Sequence, residues 1–344
     1  MSVSAFIQSL PKAELHLHIE GTLEPELMLA IASRNAVELP FGTVSQVRQA
    51  YQFGNLQDFL DIYYRCMSVL LTEKDFFDLT RAYFDRIAVQ SVRHAEIFFD
   101  PQAHTGRGVA FNTVCAGIRR GLDYGFERHG ITSRLIMCFL RHLDEADAMA
   151  TLETALRHRS LIYGVGLDSG ELGNPPSKFA RVFTRARAAG FAVVAHAGEE
   201  GPPEYVREAV DMLRVQRIDH GNRALEDSGL VAELVESQIP LTVCPLSNQK
   251  LGVVACLERH PLRNMLDAGL VITINSDDPA FFGGYINENY QAMQDRLGID
   301  DHALAGIARN SFDAAFMDAQ RREELLAELD EYVADHLGTP SAAT

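Results

Sequence analysis

Short apolar runs recur along the chain, and each is followed by a stretch whose apolar positions repeat at helical spacing. Eight such runs can be marked, at 13–20, 94–100, 133–140, 162–169, 191–198, 217–221, 240–248 and 270–278. Strand and helix in alternation is the pattern of βα units around a parallel sheet. Eight units in 344 residues predict an α/β fold of the (β/α)8 barrel type. Polar residues gather at the carboxyl ends of the runs: His18, Glu20, Asp100, Ser169, His196, His220, Asn248, Asp277 and Asp278. That end of a barrel is where its enzymes keep their chemistry, although open doubly wound sheets also bind ligands at strand carboxyl ends.

A long insertion separates the first two runs. Within it Leu56, Phe59, Leu60, Tyr63, Met67 and Leu70 recur at helical spacing, which predicts extra helices over the barrel mouth. The aromatic stripe reads as core packing in the first place, with a lid above a flat ligand as the alternative. After the eighth run the pattern stays helical, over 302–317 and 318–336. The expected organisation is one domain, 1–344, with a barrel at about 10–280, C-terminal helices at about 281–337 and a frayed polar tail at 338–344.

Composition narrows the partners. A formal charge of −16 argues against nucleic-acid backbones and anionic membranes, whose recognition needs clustered Lys and Arg. A small neutral or cationic molecule suits it better; the oligomeric state is left open. Five cysteines, at 66, 115, 138, 244 and 256, form no Cys-x-x-Cys pair and read as reduced core residues. No apolar run approaches the roughly 18 residues that span a bilayer, and a cytoplasmic location is expected.

The chemistry begins at Glu14-Leu15-His16-Leu17-His18-Ile19-Glu20-Gly21. Side chains alternate along a strand, so His16 and His18 share one face. Two converging imidazoles suit a divalent metal such as zinc, although an isolated His-x-His is more often two ordinary histidines. The fifth run ends His196-Ala197-Gly198-Glu199, the sixth carries Asp219-His220-Gly221, and the eighth ends Ser276-Asp277-Asp278-Pro279. A barrel brings three imidazoles and a carboxylate together from its first, fifth and eighth strands. Such a set leaves a position open for water, the mark of a catalytic metal. Asp277 and Asp278 diverge if the strand ends there, as Pro279 requires, so that one carboxylate can face the metal and the other a ligand.

His-x-His, HAGE, HG and SDDP in this order resemble the adenosine and adenine deaminases of the amidohydrolase superfamily, over Leu10 to about Pro279. The resemblance implies one zinc ion per chain held by His16, His18, His196 and Asp277. It implies Glu199 as proton donor to purine N1, and His220 as the group that orients or deprotonates the water on the metal. Asp278 would meet N7, and the backbone N–H of Gly170 would meet N3. Ser247-Asn248 also resembles a family motif and reads as loop support.

Two departures bear on the substrate. The adenosine enzymes usually carry Asp where this chain has Glu20, whose extra methylene projects into the space a ribose would occupy. Residues 96–101, Glu-Ile-Phe-Phe-Asp-Pro, replace a Glu-x-Arg pattern and make that wall more apolar. Both resemble the adenine deaminase branch, so the expected reaction is zinc-dependent hydrolysis of adenine to hypoxanthine and ammonia, a step of purine salvage. Adenosine deamination is the alternative. A binuclear amidohydrolase is a further one, disfavoured because the fourth run lacks a lysine; a purine-binding protein without catalysis is another. A nucleotide would want cations, and near the strand ends only Arg141 and Lys250 offer them.

Overall fold

The computed structural model describes residues 3–338; residues 339–344 of the expected tail lie outside them. Eight parallel strands follow the chain order: β1 Lys12–His18, β2 Val92–Phe99, β3 Thr132–Leu140, β4 Ile162–Asp168, β5 Ala192–Ala197, β6 Arg217–His220, β7 Leu241–Val243 and β8 Ile272–Ile274. Each expected run overlaps one of them, and helices between them give the (β/α)8 barrel.

All seven residues of β1 are buried, because a barrel strand has helices on one side and the barrel interior on the other. Leu15 and Leu17 join the large outer core under the helices. Glu14, His16 and His18 alternate to the interior. There a separate small cluster of Phe98, Ile136, Cys138 and Val194 fills the space beneath the histidines. The Phe98 ring lies 5.1 Å from His16, 5.1 Å from His18 and 5.7 Å from His196, centroid to centroid. At the opposite end Arg217 and Glu96 pair at 2.8 Å, and the chain after the helix Asp301–Asp313 caps them, with Phe316 under the guanidinium at 4.7 Å.

The seam between β8 and β1 closes through a carboxylate-bearing residue. Past the formal end of β8, Asp277 N–H donates to His16 O at 3.1 Å and His18 N–H donates to Asp277 O at 3.0 Å. Below them Leu15 N–H donates to the Asn275 side chain at 2.8 Å. The closing bridge thus sets Asp277 beside both histidines of β1.

Three strand ends differ from expectation. β1 stops at His18, and Glu20–Thr22 form a single 3-10 turn. β7 stops at Val243 because Pro245 opens a short helix, Pro245–Lys250, so Asn248 sits on that helix and not on a strand. β8 ends before Asp277, which adopts a left-handed φ of 63°. Helices Pro25–Arg34, Val44–Ala50, Leu56–Met67 and Glu73–Ala88 make up the first insertion, and helices Ile286–Leu297, Asp301–Asp313 and Ala319–Leu337 follow the barrel. All five cysteines are free; four are buried, but Cys256 is half-exposed and is not a core residue. Among the described residues no helix is long and apolar enough to cross a membrane.

Candidate metal centre and active site

The strand ends that carry chemistry leave the sheet abruptly. Ser169, His220 and Asp277 all adopt positive φ, at 74°, 66° and 63°, a conformation that costs a non-glycine residue on the order of 1–3 kcal/mol and persists only where surrounding contacts impose it. Turning the chain there swings the side chains over the mouth.

His16, His18, His196 and Asp277 each offer one ligand atom, and the four atoms lie within 4.8 Å of one another. His18 Nε2 is 3.2 Å from His196 Nε2, and Asp277 Oδ1 is 3.3 Å from His16 Nε2 and 3.5 Å from His18 Nε2. His16 Nε2 is buried with no hydrogen-bond partner, an arrangement that is costly unless something else meets it. Three imidazoles and a carboxylate converging on one point, with an orphaned ring nitrogen among them, fit a divalent cation.

The other ring nitrogens are occupied from behind. His16 Nδ1 meets Thr242 Oγ1 at 2.9 Å, and that hydroxyl donates to Asp219 Oδ1 at 2.9 Å. Asp219 Oδ2 lies 3.5 Å from His196 Nδ1, and Asp168 Oδ2 lies 3.5 Å from His18 Nδ1. Carboxylates behind metal-binding histidines fix ring orientation and raise ligand basicity. Burial opposes ionisation of Asp219, but His196 and His16 more than offset it and hold the carboxyl well below its usual range.

Glu199, His220 and Asp278 surround the cluster. His220 Nε2 stands 3.5 Å from Glu199 Oε1 and 3.8 Å from Asp277 Oδ2. Burial, reinforced by Asp277, pushes the Glu199 carboxyl well above the ordinary range, and the same two causes act on Asp278. Asp278 Oδ1 is buried and unpartnered. Gly21 lies so close that any side chain there would overlap Asp278. Glu171 holds the loop that carries Glu199: its Oε1 accepts from Gly198 N–H at 2.7 Å, and its Oε2 from Glu200 N–H at 2.8 Å and Gly201 N–H at 2.7 Å.

These groups open into one small cavity at the barrel mouth. Its polar wall is His18, Asp100, Asp168, Ser169, His196, Glu199, His220, Asp277 and Asp278. The apolar wall comes from the helix Leu56–Met67: Leu56, Phe59, Leu60, Tyr63 and Tyr64, with Leu251 opposite. The stripe read first as core packing is buried and also roofs the site. Tyr64 fastens the roof, its hydroxyl 3.0 Å from Ser169 Oγ.

Two residues expected at the substrate lie outside the cavity lining. Glu20 does not line the cavity. Its Oε1 accepts from His104 Nε2 at 2.8 Å and from Asp100 N–H at 3.2 Å, because the 3-10 turn directs it against the helix Pro101–Thr105 and not into ribose space. Gly170 is also outside the lining; its neighbour Ser169 takes that place. Arg141 is buried and absent from the cavity lining, with its Nε and Nη1 on the carbonyls of Asn174 and His196, both at 2.8 Å. Sequence reasoning missed Thr242, Asp168, Glu171 and the tyrosines. Asp168 and Glu171 sit in the same strand-end segment as Gly170, where the signal was present.

Comparison with known proteins agrees with this geometry. The family model described as adenosine deaminase matches residues 11–332. An adenine deaminase of Sphingopyxis alaskensis is 62% identical over 329 residues, covering 96% of this chain and 96% of that protein. One from Rhodospirillum rubrum is 58% identical, covering 94% of this chain and 97% of its own length. The crystal structure of an adenine deaminase from Arthrobacter aurescens superposes with a TM-score of 0.93 at 50% identity, covering 94% of this chain and 99% of that one. An amidohydrolase from Burkholderia ambifaria with bound Zn superposes at 0.90 and 28% identity, covering 98% and 97%.

Proposed function

Because this chain belongs to the adenosine deaminase family, we propose that its reaction is the hydrolytic deamination of adenine to hypoxanthine and ammonia, with one zinc ion held by His16, His18, His196 and Asp277. The observation that carries it is the four-donor cluster, three of whose members, His18, His196 and Asp277, line one cavity together with Glu199, His220 and Asp278. Such an ion, when bound, supplies the Lewis acidity that brings ionisation of water near neutral pH.

The chain's own residues do the rest. Attack of water at C6 needs electron density drawn into the ring, and Glu199, kept protonated by burial and by Asp277, delivers its proton to N1 as the bond to oxygen forms. The hydrogen left on the C6 hydroxyl passes to the amino nitrogen as the C–N bond breaks, so that ammonia leaves and the carbonyl of hypoxanthine forms. The proton released when water ionises returns Glu199 to its acid form. Asp278, whose carboxyl is pushed up for the same reasons, presents a hydrogen to N7 of the adenine tautomer that carries its imidazole hydrogen on N9. Gly170 N–H remains the candidate for N3, reached beyond Ser169. The roof of Phe59, Leu60 and Tyr63 packs on the flat base and excludes bulk water. The single barrel domain, 1–344, serves one site, with no nucleic-acid or membrane partner and a cytoplasmic place of action.

Adenine over adenosine follows from relatives of that name at 56–62% identity, and a nucleotide is disfavoured because the cavity walls offer acids and apolar groups and no cation for a phosphate. Ammonia release from adenine, adenosine, AMP and N6-methylated purines tests it. Adenine should give the highest kcat/KM, and a clearly higher value on adenosine would reverse the assignment. Glu199→Gln should keep its metal and lose several orders of magnitude in kcat.

A further inference from the structure

His220 is held from behind by a chain of hydrogen bonds that starts at a group of fixed polarity. Leu262 opens the helix Leu262–Asp267, so its N–H has no partner within that helix. It donates to His260 Nδ1 at 3.1 Å. A ring nitrogen that accepts carries no hydrogen, so the hydrogen of neutral His260 is on Nε2. His260 Nε2 lies 3.1 Å from Asn248 Oδ1, and Asn248 Nδ2 lies 3.3 Å from His220 Nδ1. Turning the Asn248 amide over would leave His260 accepting at both nitrogens, which only an imidazolate can do. The direction is therefore set along the whole chain: Leu262 N–H to His260, His260 to Asn248, Asn248 to His220.

All three side chains are buried, His260 to 4% exposure, Asn248 to 0% and His220 to 1%, so water does not compete for these bonds. Burial also pushes the His260 imidazole down to about 4, which keeps it neutral across the physiological range. Neither Asn248 nor His260 lines the cavity.

The geometry points to one consequence: Asn248 and His260 are positioning residues that place the hydrogen of His220 on Nε2, so that His220 donates to the attacking oxygen and does not take its proton. This rests on the reading of the site as a deaminase centre, and it separates the two roles, orienting and deprotonating, that the sequence left open for His220. The face concerned is the one 3.5 Å from Glu199 and 3.8 Å from Asp277. A donor there holds the oxygen at a defined angle toward C6.

Asn248→Asp is the discriminating variant, because a carboxylate accepts only. It can still take the hydrogen of His260, but it must also accept from His220 Nδ1, which moves the His220 hydrogen off Nε2. The test is long-range 1H–15N NMR on 15N-histidine-labelled, zinc-loaded enzyme, with the His220 signal identified by its loss in His220→Gln. The wild type should show hydrogen on Nε2 of His220, and Asn248→Asp should show it on Nδ1. The variant should retain its metal and its KM for adenine while kcat falls roughly 10–100-fold, the usual cost of disturbing a group behind a metal-site residue. Hydrogen on Nδ1 of His220 in the wild type would overturn the inference, and so would a switched tautomer with unchanged kcat. If Asn248→Asp does not fold, the wild-type spectrum alone decides. An enzyme inert toward adenine yet carrying hydrogen on Nε2 would sink the substrate assignment and leave this inference supported.

Discussion

Three backbone N–H groups around Glu199 converge on one buried carboxylate, Glu171. Hydrogen bonds to a charged acceptor are worth about 1.5–3 kcal/mol each, and leaving a buried donor unmet costs a similar amount. Glu171→Gln turns an NH2 group toward donors that need an acceptor. The expected result is a kcat lowered roughly tenfold or more with metal content intact, measured by steady-state kinetics beside metal analysis. At this scale the sequence was legible where alternation applies. His16 and His18 share a face because a strand has a period of two; Pro279 was expected to end the eighth strand, but β8 already ends at Ile274 and the left-handed φ of Asp277 turns the chain there. It failed at Glu20, two residues beyond the last strand residue, where a 3-10 turn breaks the period and aims the carboxylate at His104. Asn248 and His260 were opaque because their roles depend on partners in separate segments of the chain.

The helix Leu56–Met67 was legible as an element, from its apolar spacing and from Asn55, whose side chain caps it by accepting from Asp58 N–H at 2.9 Å. Its second role was not. An apolar stripe looks the same whether it faces a core or a ligand, and only the position of the barrel mouth separates the two. Tyr64 ties this helix to the end of β4 through Ser169. Tyr64→Phe removes that bond and keeps the ring, so the roof should close less tightly. We expect KM for adenine to rise several-fold with a smaller change in kcat, and an unchanged KM would show that packing alone holds the roof. The strands were legible in number and order, and less so in length. β7 and β8 are three residues each, because Pro245 and the left-handed turn at Asp277 end them before their apolar runs finish.

Across the whole molecule, the cluster joins β1, β5 and β8, and so spans the seam where the barrel closes. Backbone pairing at that seam is sparse, a single bridge between Leu17 and Asp277 beyond β8. An ion that binds only the folded barrel stabilises it by mass action, about 4 kcal/mol when free metal exceeds its Kd a thousandfold. Chelation should therefore lower Tm by several degrees, and Asp277→Asn should abolish that difference; calorimetry with and without chelator measures both.

Adenine hydrolysis, as proposed, depends on one ion held by His16, His18, His196 and Asp277. The direct measurement is a titration of metal-free enzyme with zinc while ammonia release from adenine is followed. Activity should start near zero, rise linearly and break at one zinc per chain. Full activity without metal, or a break at two, would contradict it.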